Sequence, residues 1–319
     1  MKVRNYHIIA AALFIALLIM FAYGLSTGNL LLLFFAIILS AATYLCNTLM
    51  LKQILLCFGI STKFYDLFLI YVGSQSASYM LPFKAGLPLR VLLYNKKLEV
   101  DSYTGSAAVA MEMFLGVLVY FIISILGVLL FFDLSIQYSW FLFLVFLLLL
   151  APLLSTLVFV LLMKRLPFLR QRFPMLDRFY VGITSFSKKM IAYTLIFASA
   201  WFFIGFFCSI LRLHILLRYV GYTLGLADLF PVAAFALLVG SLSFLPAGLV
   251  VRDATFTALL VGLGVPLNVA ILVAVVERII TTGIFSVVGV ASLSILGLGS
   301  FKEGFHLPVE YGDYEKVRK

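Results

Sequence analysis

Charge is what this sequence has least of. Of its 319 residues only 11% are Asp, Glu, Lys or Arg, while 64% are hydrophobic and 32 are Phe. A soluble globular chain carries about 25% charged and about 45–50% apolar residues. An apolar excess of this size cannot be hidden behind the surface of a water-facing fold. Soluble, disordered, collagen-like and coiled-coil architectures are thereby excluded. Cysteine is nearly absent: Cys46, Cys57 and Cys208 lie in or beside apolar stretches at no metal-like spacing, and an odd count provides no disulfide framework. The three histidines, His7, His214 and His306, are scattered, which suits surface positions better than ligation. Acids number 13 against 23 basic residues, a net charge of +10. That surplus does not point to nucleic acid. No basic stripe with interleaved stacking aromatics is present, and basic membrane flanks are what the positive-inside rule expects.

What the chain does have is long apolar runs, charge-free but for Glu112 in one and Glu277 and Arg278 in another, and about 20 helical residues cross a hydrocarbon core. The expected spans are Tyr6–Leu25, Leu30–Leu51, Tyr103–Phe132, Ser135–Met163, Met190–Leu211 and Pro266–Gly297. The first could also be a signal peptide, with Ala22 and Gly24 as small residues at a cleavage site. Two further apolar segments are interrupted. Residues 67–83 run into Leu81-Pro82-Phe83-Lys84-Ala85-Gly86-Leu87-Pro88-Leu89-Arg90. Residues 229–251, which carry Pro231, run into Leu245-Pro246-Ala247-Gly248-Leu249-Val250-Val251-Arg252-Asp253. Proline removes a backbone donor and glycine turns easily, so both segments should break, with turns at Pro82, Gly86 and Pro88 and at Pro246 and Gly248. Each is followed by more apolar sequence, which predicts two re-entrant helical hairpins, 67–97 and 229–263. The fold class expected is therefore all-α: a polytopic membrane bundle of about six full spans plus these two broken hairpins.

Orientation follows from the basic residues. With the N-terminus cytoplasmic, 17 basic residues flank the inner side against two outside, Arg212 and Arg218. The chain then divides into a first membrane repeat (1–163), a basic cytoplasmic loop (164–189), a second membrane repeat (190–300) and a cytoplasmic tail (301–319). The loop holds seven basic residues and one acid, a composition that anchors to anionic lipid.

The two broken segments share a pattern: Leu-Pro, a Gly-Leu step, an arginine, then a long apolar helix with one glutamate. Arginine follows the first proline by 8 residues in one copy and by 6 in the other. One hairpin opens inward and the other outward, so the copies form an inverted repeat, the pattern that marks a midplane site in transporters. Glu112 and Glu277 each lie about 14–15 Å deep at 1.5 Å per residue. At that depth an unpaired charge costs at least about 2.5–3.5 kcal/mol, so Arg90 is expected to pair with Glu112 and Arg252 with Glu277. Such pairs either clamp hairpin to helix or face a cavity. In the second case Lys84, Arg90 and Arg252 hold an anionic head group, with Glu112, Asp253, Glu277 and Arg278 completing the site. Arg278 points about 100° away from Glu277, into the same cavity or to another partner. Gly225, Gly240, Gly248, Gly283 and Gly289 are expected to permit close helix packing.

The segment from Leu81 to Arg90, followed by Val91-Leu92-Leu93, resembles the first hallmark of the lysylphosphatidylglycerol synthase transmembrane-region family. The segment from Leu245 to Ala254, with Leu263-Gly264-Val265-Pro266 and Glu277-Arg278, resembles the second. The chain departs from that pattern at Leu87, where an acid is common, at Ala247 and Asp253, and at Glu112-Met113 in place of Glu-Arg. The resemblance implies an integral membrane protein related to the flippase half of the lysyl-lipid synthases. After Gly297 only about two dozen residues remain, too few for an aminoacyl-transferase domain, so lysyl transfer is not expected. The expectation is a flippase-like translocator of an anionic lipid, glycolipid or polyprenyl-phosphate-linked substrate in the cell membrane, with both termini cytoplasmic. Its partners are membrane lipids, it needs neither cofactor nor metal, and it is not an enzyme. A membrane-embedded transferase is the alternative, but that chemistry usually needs an acidic pair for a divalent metal. Only a lone Asp228 and Asp133 stand at the outer edges. A non-transporting assembly factor is also compatible with the sequence.

Overall fold

A computed structural model describes residues 30–81, 84–131, 188–243, 248 and 250–297. Among the described residues the chain is helical throughout. The helices are α1 (Leu30–Cys57), α2 (Phe64–Met80), α3 (Gly86–Leu98), α4 (Ser102–Phe131), α5 (Lys188–Tyr219), α6 (Leu226–Leu242), α7 (Val251–Gly262) and α8 (Leu267–Ile295). Within them, Leu30–Cys57, Ser102–Ser124, Ile196–Tyr219 and Leu267–Ile295 are long and apolar enough to cross a membrane. The expected spans at 6–25 and 135–163, the basic loop up to residue 187, and the tail lie outside the described residues, as do Pro82 and Pro246.

Both interrupted segments are helix–break–helix units. In the first, α2 ends at Met80 and α3 restarts at Gly86. The helix restarts earlier than the sequence implied, at Gly86 rather than after Pro88. Pro88 sits in the first turn of α3, where a helix has no intrahelical use for its N–H, so the proline costs no bond there. Gly86 is the first residue of α3 and packs directly on α2: a Cβ added to it would lie 1.9 Å from the Ser74 carbonyl oxygen. In the second unit α6 runs unbroken through Pro231, and the chain breaks only after Leu242. Gly248 has φ +64°, and its Cβ would stand 2.9 Å from Cα of Gly240, so only glycine fits. Aligned on these two glycines, the units match through Gly-Leu-x-x-Arg, with arginine four residues on in both. The first unit has two extra residues ahead of its glycine, and Lys84 lies among them.

The helices pack in corresponding pairs. Within each unit the two arms pack together (α2 with α3, α6 with α7), and the second arm packs on the helix that follows it (α3 on α4, α7 on α8). Between the units the first arms cross over. α2 lies against the Phe285–Ile295 part of α8, α6 lies against α4, and α1 runs along α5. Small residues allow the α2–α8 approach, since a Cβ on Gly289 would meet the Ser76 side chain at 2.3 Å. Asp101 caps α4, its Oδ1 accepting the N–H groups of Tyr103 and Thr104 at 3.0 Å.

Two apolar cores result. One gathers Ile210, Leu217, Leu229, Ala234, Val273 and Ile280; the other gathers Met50, Ile54, Leu67, Ile70, Leu93 and Phe285. Large apolar side chains also cover the outside, among them Phe34, Ile196, Phe197, Leu267, Val275 and Val287. An exterior as apolar as the interior is what lipid surroundings select.

Two helices outrun the spans expected of them. α1 continues through Lys52 to Cys57. α5 continues eight residues past Leu211 to Tyr219, so Arg212 is not an outer flank residue as the sequence suggested. It is an intrahelical side chain, 5% exposed. His214 is likewise drawn in, its Nδ1 3.0 Å from the Leu224 carbonyl oxygen.

Candidate functional site

Where the two units meet, every helix contributes to one cavity of about 350 Å³. Its walls include Tyr44 and Asn47 of α1, Gln75 and Tyr79 of α2, Glu112 and Tyr120 of α4, and Ser209 and Arg212 of α5. Lys84, Ser241, Gly248, Arg252, Asp253, Glu277 and Thr281 line it as well.

The first ion pair is Arg90 with Glu112. Arg90 is wholly buried, and each of its nitrogens donates: Nε to Ser74 Oγ at 2.8 Å, Nη1 to Glu112 Oε2, and Nη2 to Gln75 Oε1 at 3.2 Å. Its guanidinium also lies 4.9 Å from the centre of the Tyr71 ring. The sequence foresaw the pair but not the polar face of α2 that surrounds it. Arg90 itself stands behind Glu112 rather than on the cavity wall.

The second cluster is built differently. Glu277 Oε1 accepts from two arginines, Arg252 Nη2 at 2.8 Å and Arg212 Nη2 at 3.0 Å. Arg212 also reaches Ser40 Oγ at 3.4 Å, and that hydroxyl is itself bound to the Ala36 carbonyl at 2.9 Å. Arg278 donates through Nε to Asp253 Oδ1 at 2.7 Å, tying α8 to the first turn of α7. Arg252 approaches through Gly240, whose Cβ would lie 2.8 Å from that of Arg252. Arg212 is the site residue that sequence reading missed. Its signal was present, because Leu213 and Ile215-Leu216-Leu217 continue the apolar run beyond the charge.

Lys84, with φ 51° in the first hairpin turn, donates through Nζ to the carbonyl oxygen of Ser241 in the last turn of α6. A cation on the end carbonyls of a helix is favourably placed against its dipole. This contact joins one hairpin to the other.

A hydrogen-bond relay connects the two ion-pair clusters. From Arg90 it passes through Gln75 to Tyr79 OH (3.4 Å), to Tyr44 OH (3.2 Å), and on to the Thr281 carbonyl (3.1 Å). Thr281 Oγ1 in turn donates to the carbonyl of Glu277 at 2.8 Å. Thr281 belongs to a π-helical stretch, Ile279–Ile284, that begins directly after Arg278. Such turns are rare and concentrate at functional sites. Sequence reading had no means of anticipating it.

Of the residues expected to form a site, the structure brings Lys84, Glu112, Arg252, Asp253 and Glu277 onto one cavity wall and sets Arg90 and Arg278 directly behind. With Arg212 added, three cations and three carboxylates line the cavity, and Arg90 and Arg278 behind them bring the whole cluster to five cations against three carboxylates. The cluster as a whole therefore has a surplus of positive charge inside an apolar bundle. The family model described as the lysylphosphatidylglycerol synthase TM region matches residues 6–289.

The chain belongs to this family.

Membership in the lysylphosphatidylglycerol synthase TM region and the apolar helices together make it a membrane-embedded, multi-helix protein. Neither a curated protein nor a solved structure matches the chain. The hairpin glycines and arginines and the glutamates of α4 and α8, on which the resemblance rested, all fall within the matched span.

Proposed function

We propose that the chain is a flippase-like carrier that moves the head group of an anionic lipid through the central cavity while the tails stay in the bilayer. The substrate class is a phosphate-bearing lipid, a glycolipid or a polyprenyl-phosphate-linked intermediate, and the chain acts as a transporter rather than an enzyme. The observation that carries this reading is the gathering of five cations and three carboxylates in and directly behind the wall of one cavity, inside a bundle whose outer face is apolar. Ionisable residues within a membrane are costly and rare even when paired, and by default they mark a functional site. Arginine's planar fork suits a phosphate oxygen pair. The corresponding helix pairs support an inverted repeat. On this reading the first hairpin opens to the cytoplasm and the second to the outside, with both termini cytoplasmic in the plasma membrane, as the basic flanks suggest.

The test is lipid translocation in reconstituted vesicles. Arg252→Ala is expected to abolish movement of a fluorescent anionic lipid while the protein remains monodisperse in detergent. Retained translocation would remove the cavity from the pathway. Orientation has its own test. Gly86 and Gly248 are packed too closely to carry a probe, but Leu81 and Val250 are 43% and 71% exposed beside the same turns. Leu81→Cys should react with an impermeant maleimide from the cytoplasmic side and Val250→Cys from the outside. Reaction of both from one side refutes the inverted arrangement.

A further inference from the structure

We propose that Arg252 is a transferable cation that passes between Glu277 and the substrate's anionic group, and that Arg212 is the positioning residue that makes the transfer possible. The inference rests on the carrier reading above and adds a division of labour that neither the sequence nor the family membership assigns.

The argument starts from the unequal surroundings of the two hairpin arginines. Arg90 has one carboxylate, and all three of its nitrogens donate to protein acceptors, with no exposure. If it left, Glu112 would lose its only arginine among the described residues, and a buried carboxylate would stand uncompensated. Arg252 occupies the corresponding place after its glycine, yet its side chain is 20% exposed on the cavity wall. Among the described residues it donates through Nη2 alone. Its carboxylate is already shared. When Arg252 swings away, Arg212 stays 3.0 Å from the same oxygen of Glu277, held by Ser40 and nearly buried. Glu277 then keeps a full positive partner, so releasing Arg252 does not leave a bare charge in a low-dielectric interior. The competition also works in reverse. Glu277 draws Arg252 back from the bound anion, and a carrier that could not let go of its cargo would bind without moving it.

Lys84 offers the second exchangeable contact. Its acceptor is the neutral carbonyl of Ser241, next in sequence to the Gly240 against which Arg252 lies. Exchanging a carbonyl for an anion strengthens the bond to an ammonium group. The site that results is a two-cation clamp for a phosphate, one cation from each hairpin, with Arg212 fixed in the wall beside it and Arg90 behind.

The experiment uses the full-length protein in detergent, with dioctanoyl phosphatidylglycerol as the anionic probe and dioctanoyl phosphatidylcholine as the comparison. Binding is read by thermophoresis and translocation in vesicles. Wild type should prefer the anionic lipid. Arg212→Gln leaves Arg252 as the only cation on Glu277, so the fraction of Arg252 free for the probe drops and its apparent affinity falls about tenfold. Arg212→Gln combined with Glu277→Gln removes the competing carboxylate, and affinity should return to within about twofold of wild type. A merely structural Arg212 gives no such rescue. Glu277→Gln alone should bind at least as tightly as wild type and translocate at least about tenfold more slowly, since release is impaired. Wild-type affinity in Arg212→Gln, or no recovery in the double variant while wild type still prefers the anionic lipid, overturns the inference and leaves the carrier reading standing. Equal binding of both lipids by wild type sinks the carrier reading and this inference with it. If Arg212→Gln does not fold, Glu277→Gln decides: a folded variant that has lost the anionic lipid refutes the proposal.

Discussion

Arg90→Ala is expected to yield no folded, monodisperse protein, in contrast to Arg252→Ala, which should fold and fail only in transport. Removing one partner of a buried ion pair costs about 3–5 kcal/mol. The acceptors on Ser74 and Gln75 would lose their donor as well, at about 1–3 kcal/mol for each group left buried and unsatisfied. A folded domain has a margin of about 5–15 kcal/mol in total, so this single change consumes most of it. Arg252 spends less of its surface in the protein and leaves Glu277 with Arg212, so its loss is borne locally. Size-exclusion chromatography with fluorescence detection and a thermal melt separate the two variants. A monodisperse Arg90→Ala protein melting within a few degrees of wild type would show that the first pair is not the clamp described here.

The second large effect is expected at Gly86. Gly86→Val places a branched side chain where even a Cβ would lie 1.9 Å from the Ser74 carbonyl oxygen and 2.2 Å from Ser78 Oγ. The nearest obstacle is backbone and cannot rotate aside, so α3 must move off α2, carrying Arg90 from Glu112. Overpacking of a well-filled interior costs about 1–3 kcal/mol even where neighbours can yield, and here the loss should exceed that range. Gly262→Ala is the matched control. A Cβ there meets nothing within 4 Å, and its backbone is not left-handed. It should leave the melting temperature unchanged or raise it slightly by about 0.4–1 kcal/mol through reduced freedom of the unfolded chain. Equal melting temperatures for the two variants would contradict the close approach of the hairpin arms.

Much of the architecture is written in hydrophobicity and in two residue types. The α4 bounds differ by one residue from the run Tyr103–Phe132, because an uninterrupted apolar stretch has one way to satisfy its backbone in lipid. The glycines that interrupt the other two segments mark close approaches that only a missing side chain permits. What escaped the sequence is what depends on partners. Lys52 and Arg212 looked like membrane flanks because an isolated charge normally ends a span. Arg212 instead continues its helix because Glu277, far along the chain, compensates it. The π-helical turn behind Glu277 leaves no trace in composition, since its residues Ile279-Ile280-Thr281-Thr282-Gly283-Ile284 would serve equally in an ordinary helix. Pro88 was read as part of a turn for a similar reason: proline is as welcome in the first turn of a helix as just outside it.

The crossed packing of the two units bears on how the protein is made. α2 emerges early from the ribosome, yet the surface that receives Gly73 and Ser76 belongs to Gly289 and Leu293 at the far end of α8. α4 must likewise wait for α6. Each unit pairs its own two arms, but the outer face of its first arm is covered only by the other half of the chain. Glu112 and Ser74 find Arg90 within the first unit, but the face of α2 that carries Gly73 and Ser76 stays without its final neighbours until α8 has entered. A chain stopped short of α8 therefore loses the seam that joins the two halves.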